Sequence, residues 1–220
     1  MMERNRMNDF FRKLSAYCES HSEPPDPILY ELERETHLKT LAPQMASGPL
    51  QGQLLQLLSS LLYPQSILEV GTFTGYATIC LARGLAPGGK LITIEANPEL
   101  AWFGEKYFAK AGLADRIDAR IGDALEIIPT LDTTFDLIFL DAGKRDYARY
   151  YDLVIDQLNP GGLLIADNVL WSGKVIREPE DKDAQILDEF NQKVNQDPRV
   201  SVLMLPIRDG LLIAQKKADN

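Results

Sequence analysis

From Pro64 onward, short apolar runs alternate with segments whose apolar residues recur every three or four positions. The runs SILEVG (66–71), KLITIEA (90–96), RIDARIGD (116–123), FDLIFLDA (135–142) and LLIADNVL (163–170) predict strands. The periodic segments 75–85, 97–112, 124–131, 146–158 and about 183–196 predict helices. Asn97 and Pro98 suit an N-cap and a first helical position. The end of the chain, VSVLMLPIRDGLLIAQKK (200–217), reads as two strands joined at Pro-Ile-Arg-Asp-Gly. Ahead of this region, 1–20, 28–42 and 52–63 read as helices. SEPPDP (22–27) is a proline-rich break between the first two, and PQMASGPLQ (43–51) reads as a loop.

Strands alternating with helices predict an α/β fold. The expectation is a Rossmann-like, doubly wound, mostly parallel sheet of seven strands, with the C-terminal hairpin antiparallel at one edge. We expect one domain over 1–220, with an N-terminal helical segment (1–63) and a Rossmann-like core (64–220).

The chain has 220 residues, 45% of them hydrophobic and 25% charged, an ordinary globular composition. Its apolar runs are far shorter than the roughly 20 residues that span a bilayer. The start resembles an amphipathic helix rather than a signal peptide, so we expect a cytoplasmic protein without a membrane partner. The net charge of −9 argues against broad nucleic-acid binding. Cys18 and Cys80 form no disulfide framework, and His21 and His37 lack metal-ligand spacing.

The acids change this picture. Glu69, Glu95, Asp123, Asp141 and Asp167 all fall at or near the ends of predicted strands. In a parallel sheet those ends face one crevice, where ligands bind. EVGTFTGY (69–76) is a strand, a glycine turn and a helix start, with Gly71 allowing the turn and Gly75 a close helix start. Its glycines are not spaced as in the G-x-G-x-x-G dinucleotide fingerprint, and Glu69 precedes them. A pyrophosphate disfavours that acid, whereas a ligand with an amino group and a cationic centre does not. S-adenosylmethionine fits the description. Glu95 could accept from both ribose hydroxyls, and Asp123 could meet the adenine amino group. A helix-capping turn with surface acids is the plainer alternative.

Asp141, Asp167 and Asn168 end adjacent predicted strands and form an all-oxygen donor set. Such a set suits Mg²⁺, with Mn²⁺ or Ca²⁺ also accepted, better than zinc. A plain turn at Asp167-Asn168 is the alternative. Lys144 lies three residues past Asp141, where a divalent cation would favour its neutral, basic form. A surface ion pair is the plainer role for it.

The sequence resembles the cation-dependent class I O-methyltransferases, the family of catechol and caffeoyl-CoA O-methyltransferases and their small bacterial members. The motifs MASGPLQGQLL, ILEVGTFTGYA, ITIEANP, GDALEIIP, FDLIFLDAGKRDY, GGLLIADNVLWSG and PIRDGLLIA carry the resemblance, over about 43–215. It implies that Asp141, Asp167 and Asn168 hold the cation and that Lys144 is the general base. It implies a cofactor site of Met45, Ser47, Glu69, Gly71, Phe73, Gly75, Ala77, Glu95, Asp123, Ala124 and Asp141. Trp171 falls where the family places aromatic acceptors. Ala77 replaces the family's usual serine, which implies weaker cofactor binding. Gly143 replaces an aspartate common in bacterial relatives.

The resulting expectation is S-adenosylmethionine-dependent, Mg²⁺-assisted O-methylation of one hydroxyl of a catechol-like small molecule, by a homodimer. Phe10, Phe11, Leu14 and Tyr17 of the first helix would serve the dimer interface or cover the acceptor site. A related alternative is O-methylation of 5-hydroxyuridine in tRNA, with Arg145, Arg149, Lys174 and Arg177 as a basic rim. From other classes, a nicotinamide-dependent oxidoreductase and a non-catalytic cofactor-binding module remain.

Overall fold

The computed structural model describes residues 2–218, with the side chains of 2–8 and of Phe11 outside the described set. Three helices come first: α1 (Met2–Ser20), α2 (Pro27–Lys39) and α3 (Gly48–Leu62). The core then runs β1 (Ser66–Val70), α4 (Tyr76–Arg83), β2 (Lys90–Glu95), α5 (Ala101–Lys110), β3 (Ile117–Ile121) and α6 (Ala124–Ile127). It continues through β4 (Phe135–Leu140), α7 (Tyr147–Val154), β5 (Leu158–Asp167), α8 (Lys174–Arg177), α9 (Lys182–Gln196), β6 (Val200–Leu205) and β7 (Leu211–Lys216).

Among the described residues seven strands form one sheet in the order β3-β2-β1-β4-β5-β7-β6. β1 to β5 pair in parallel, and β7 joins β5 and β6 antiparallel. This is the expected doubly wound sheet with its edge hairpin. The apolar run of β4 is explained by burial on both faces. Leu137 and Phe139 pack with α2 to α5, and Ile138 and Leu140 pack with α6, α7 and α9. The strand order reverses between β1 and β4, so the crevice opens beyond Val70 and Leu140.

Several boundaries differ from the sequence reading. The third helix begins at Gly48, not residue 52, because Pro49 lies in its first turn. A proline there sacrifices no hydrogen bond and pre-sets a helical φ. The helix expected to reach 158 ends at Val154, and β5 starts at Leu158 instead of 163, with an irregularity in its register against β4. The strand expected to reach 170 stops at Asp167, because Asn168 turns left-handed, with φ 59°. The short helix α8 was not expected. Asn97 caps the turn ahead of α5 as expected, accepting from the Glu99 N–H.

Candidate active site

At the switch point, the Asp141 N–H donates to the Val70 carbonyl, 2.8 Å, and the Gly71 N–H to Ile94, 2.9 Å. β1 and β4 therefore end side by side. Gly71 has φ 101°, and a Cβ there would overlap the Asp141 carbonyl oxygen. The turn needs glycine both for its conformation and for this approach. Gly75, at φ 90°, leaves room for the Phe108 ring, which a Cβ at this position would approach to 2.7 Å.

Glu95 holds the turn in shape. Its Oε2 accepts from the Phe73 N–H, 2.7 Å, and its Oε1 from the Asn97 N–H, 2.9 Å. Phe73 itself is left-handed, φ 50°. Asp123 is exposed and caps α6, accepting from Leu125 N–H at 2.8 Å. Ala124 and Ala77 are buried in the first turns of α6 and α4, where backbone N–H groups have no partner within the helix. Ser47 is buried and Met45 exposed on the segment before α3.

Glu69 departs from the expected lining. It is fully buried beneath the crevice, and its Oε2 accepts from the hydroxyls of Thr78, 2.5 Å, and Thr93, 2.6 Å. Its Oε1 has no partner among the described residues. Burial pushes its pKa up to about 8, against the pull of the two hydroxyls. Near neutral pH this group is mostly an uncharged acid.

Asp141 and Asp167 follow paired residues at the ends of β4 and β5 and feel each other's charge, with Asn168 next along the chain. Asp167 is 3% exposed. Its Oδ1 accepts from the Asn168 N–H, 2.6 Å, and its Oδ2 from Gln51 Nε2, 2.7 Å. Asp141 is held above the usual carboxylate range, first by burial and then by the Asp167 charge, although Lys144 opposes both. Among the described residues no three His, Cys, Asp or Glu side chains are grouped to hold a metal. A cation here would rely on the Asn168 amide, whose side chain has no hydrogen-bond partner among the described residues. A buried carboxylate, a half-buried one and a spare amide oxygen are the donors a hard cation takes.

Lys144 Nζ donates to Asp141 Oδ1, 3.2 Å, and to the Tyr147 hydroxyl, 2.8 Å, and lies 4.9 Å from the Tyr147 ring centre. Tyr147 is fully buried, and its hydroxyl lies 3.1 Å from the Leu140 carbonyl and 3.0 Å from that of Asp167. Burial, then Asp141 and Asp167, holds this phenol neutral, well above its ordinary range. It therefore ties Lys144 to the ends of both strands.

Trp171 and Ser172 are left-handed, φ 48° and 53°, on the loop after Asn168. That loop is fastened to the β6–β7 hairpin: Asp209 accepts from the Ser172 N–H, and its carbonyl accepts from Leu170 N–H, 2.9 Å. From the same hairpin, Arg208 donates to the carbonyls of Gln44, Ala46 and Ser47, fastening the segment before α3. The expected basic rim is largely neutralised. Arg145 pairs with Asp183, Arg149 with Asp146, and Lys174 with Asp181, while Arg177 donates to backbone carbonyls.

Sequence reasoning did not single out Gln51, Tyr147, Arg208 or Asp209. Tyr147 had a signal, three residues after Lys144. Gln51 had none, because its role depends on the early start of α3.

A family model described as O-methyltransferase matches residues 19–217. The chain is 37% identical to a catechol O-methyltransferase of Niastella koreensis over 182 residues, 78% of this chain and 82% of that protein. It is 34% identical to caffeoyl-CoA O-methyltransferase 1 of Eucalyptus globulus over 184 residues, 78% of this chain and 75% of that protein. Among solved structures, it resembles the SAH-bound methyltransferase PaMTH1 of Podospora anserina, TM-score 0.88, at 30% identity over 96% of each chain. It also resembles TomG of Streptomyces achromogenes, an O-methyltransferase bound to S-adenosylmethionine, TM-score 0.86, at 32% identity over 94% of this chain and 96% of that one.

Proposed function

This chain belongs to the O-methyltransferase family and is an S-adenosylmethionine-dependent O-methyltransferase; we propose that it methylates one hydroxyl of a catechol-like small molecule with a divalent cation and Lys144 as base. The observation that carries the reading is the placement of Asp141, Asp167 and Lys144 together at the ends of β4 and β5, with Asn168 directly after Asp167. The relatives named for catechol and caffeoyl-CoA support the acceptor class.

In this proposal the Gly71 turn would hold the cofactor, which would supply an electrophilic methyl group on its sulfonium. Glu95 would accept from its ribose hydroxyls and Asp123 would meet its adenine, with Phe73, Gly75, Ala77 and Ala124 completing the site. Met45 and Ser47 close over it from the segment that Arg208 fastens. Asp141, Asp167 and Asn168 would hold Mg²⁺, or Mn²⁺ or Ca²⁺ in its place. When bound, that cation neutralises the paired carboxylates and favours deprotonation of a hydroxyl beside it.

Lys144 takes the proton from the reacting hydroxyl. The oxygen lone pair then forms a bond to the methyl carbon as the carbon–sulfur bond breaks, and that electron pair stays on sulfur. Tyr147 keeps Lys144 aimed at the reacting oxygen, and proximity supplies much of the rate. Trp171 covers the ring of the acceptor.

Family membership displaces the oxidoreductase and the non-catalytic module. The pairing of Arg145, Arg149 and Lys174 with acids leaves little bare positive surface for tRNA. We also propose self-association, supported by the exposed Leu14 and Tyr17 of α1 and Leu57 and Leu61 of α3. Among the described residues no helix is long and apolar enough to cross a membrane.

The test compares 3,4-dihydroxybenzoate with 4-hydroxybenzoate as acceptors at saturating Mg²⁺. We expect methylation of the vicinal diol alone. Equal turnover of both would contradict selection of adjacent hydroxyls.

A further inference from the structure

Gln51 is fully buried, yet it reaches across the fold to a residue 116 positions away, donating to Asp167 Oδ2 at 2.7 Å. Its other amide atom, Oε1, has no partner among the described residues. The orientation is dictated by Asp167: turned over, the amide would place its oxygen against a carboxylate. Leaving Oε1 unpaired is costly, so this arrangement must secure something else.

The identity of the donor matters. A carboxylate that is 3% exposed needs hydrogen-bond donors. A lysine or arginine would supply them and also cancel the charge that attracts a cation. A neutral amide fixes the carboxylate and leaves its full charge available. With Oδ1 held by the Asn168 N–H and Oδ2 by Gln51, Asp167 has one orientation, and each oxygen retains a lone pair.

Gln51 is itself rigidly presented. Its neighbour Gly52 lies so close to α4 that a Cβ there would meet the Tyr76 ring and the Cys80 sulfur. One turn further, Leu55 is buried, and the Ser59 hydroxyl donates to the Leu81 carbonyl at 2.7 Å. Before α3, Arg208 donates to the Ala46 carbonyl at 2.8 Å.

We infer that Gln51 is a positioning residue that orients Asp167 for the divalent cation while leaving its negative charge uncompensated. The inference rests on the cation reading above. Outer partners of metal ligands typically account for 10–100-fold in metal affinity.

The test is Mn²⁺ binding followed by electron paramagnetic resonance on the full chain. Wild type, Gln51→Leu, Gln51→Met and Asp167→Ala are compared, with melting in EDTA as the check on folding. We expect Asp167→Ala to abolish binding. Gln51→Leu and Gln51→Met should each raise the Mn²⁺ Kd by about tenfold or more. The Mg²⁺ concentration for half-maximal activity should rise in parallel, with kcat recovering at saturation. A purely structural role would lower the melting temperature and leave the Kd within twofold of wild type, which would overturn the inference. Wild-type protein that binds no Mn²⁺ would overturn the cation reading itself. If neither variant folds, the side-chain ¹⁵NH₂ signal of Gln51 in wild-type protein decides. We expect it to shift on Mg²⁺ saturation, and an unmoved signal overturns the inference.

Discussion

Glu69 makes stability depend on pH in a direction unusual for an acid. In the folded chain its pKa is pushed from an ordinary 4.5 up to about 8 by burial. The unfolded chain releases this proton above about 4.5, and the folded chain keeps it until about 8. Over that window the unfolded state binds fewer protons, so stability falls as pH rises. Each pH unit inside it is worth about 1.4 kcal/mol, so the loss between pH 5 and 8 is roughly 4 kcal/mol. Glu69→Gln removes the titration and keeps an oxygen to accept from Thr78 and Thr93. Its amide places donors at the position of Oε1, where the protonated wild-type acid already carries an unpaired O–H, and the difference between the two does not vary with pH while Glu69 stays protonated. The assay is urea unfolding of both proteins at pH 5, 6, 7 and 8. The stability of Glu69→Gln relative to wild type should rise by about 4 kcal/mol across the series. A difference constant to within about 1 kcal/mol would refute the reading of Glu69 as a buried, protonated acid.

Lys144→Ala should lower the methyl-transfer rate by ~10²–10⁴-fold, while calorimetry shows cofactor affinity little changed; full activity across pH would remove Lys144 as the base. Gly71→Ala meets both a left-handed φ and the Asp141 carbonyl, so its urea stability should drop by about 2–5 kcal/mol. Arg208→Ala frees the segment that carries Met45 and Ser47 and should raise the Kd for S-adenosylmethionine by roughly tenfold, since hydrogen bonds from a charged donor contribute ~1.5–3 kcal/mol each; an unchanged Kd would dissociate that segment from cofactor binding. Light scattering should give the mass of two chains, and Leu57→Glu with Leu61→Glu should return one; a monomeric wild type would contradict the proposed self-association.

The sheet was legible because each strand from β1 to β5 ends in punctuation that has a physical cause. Glycine, asparagine or proline follows closely where the backbone must leave the ladder, and a two-face-buried strand such as β4 must be apolar throughout. Asp141, Asp167 and Lys144 stood out because a charge closing an apolar run is costly without a purpose. Three features were hidden. Gly48-Pro49 reads as a loop until the proline is seen to lie in a first helical turn, and that start is what brings Gln51 to Asp167. Glu69 carries the same signature as the crevice acids, yet the sheet register sets it opposite Thr93 and under cover. Arg208 and Asp209 act through backbone groups 30 or more residues away, which no local pattern encodes.

The most direct test of the central claim is transfer of a labelled methyl group from S-adenosylmethionine to a 3,4-dihydroxylated aromatic acid, with Mg²⁺ and with EDTA. The account predicts a monomethylated product with Mg²⁺ and its loss with EDTA, recovered when Mg²⁺ is restored. Transfer that continues undiminished in EDTA would contradict the role given to Asp141, Asp167 and Asn168. No transfer under either condition would contradict the acceptor class.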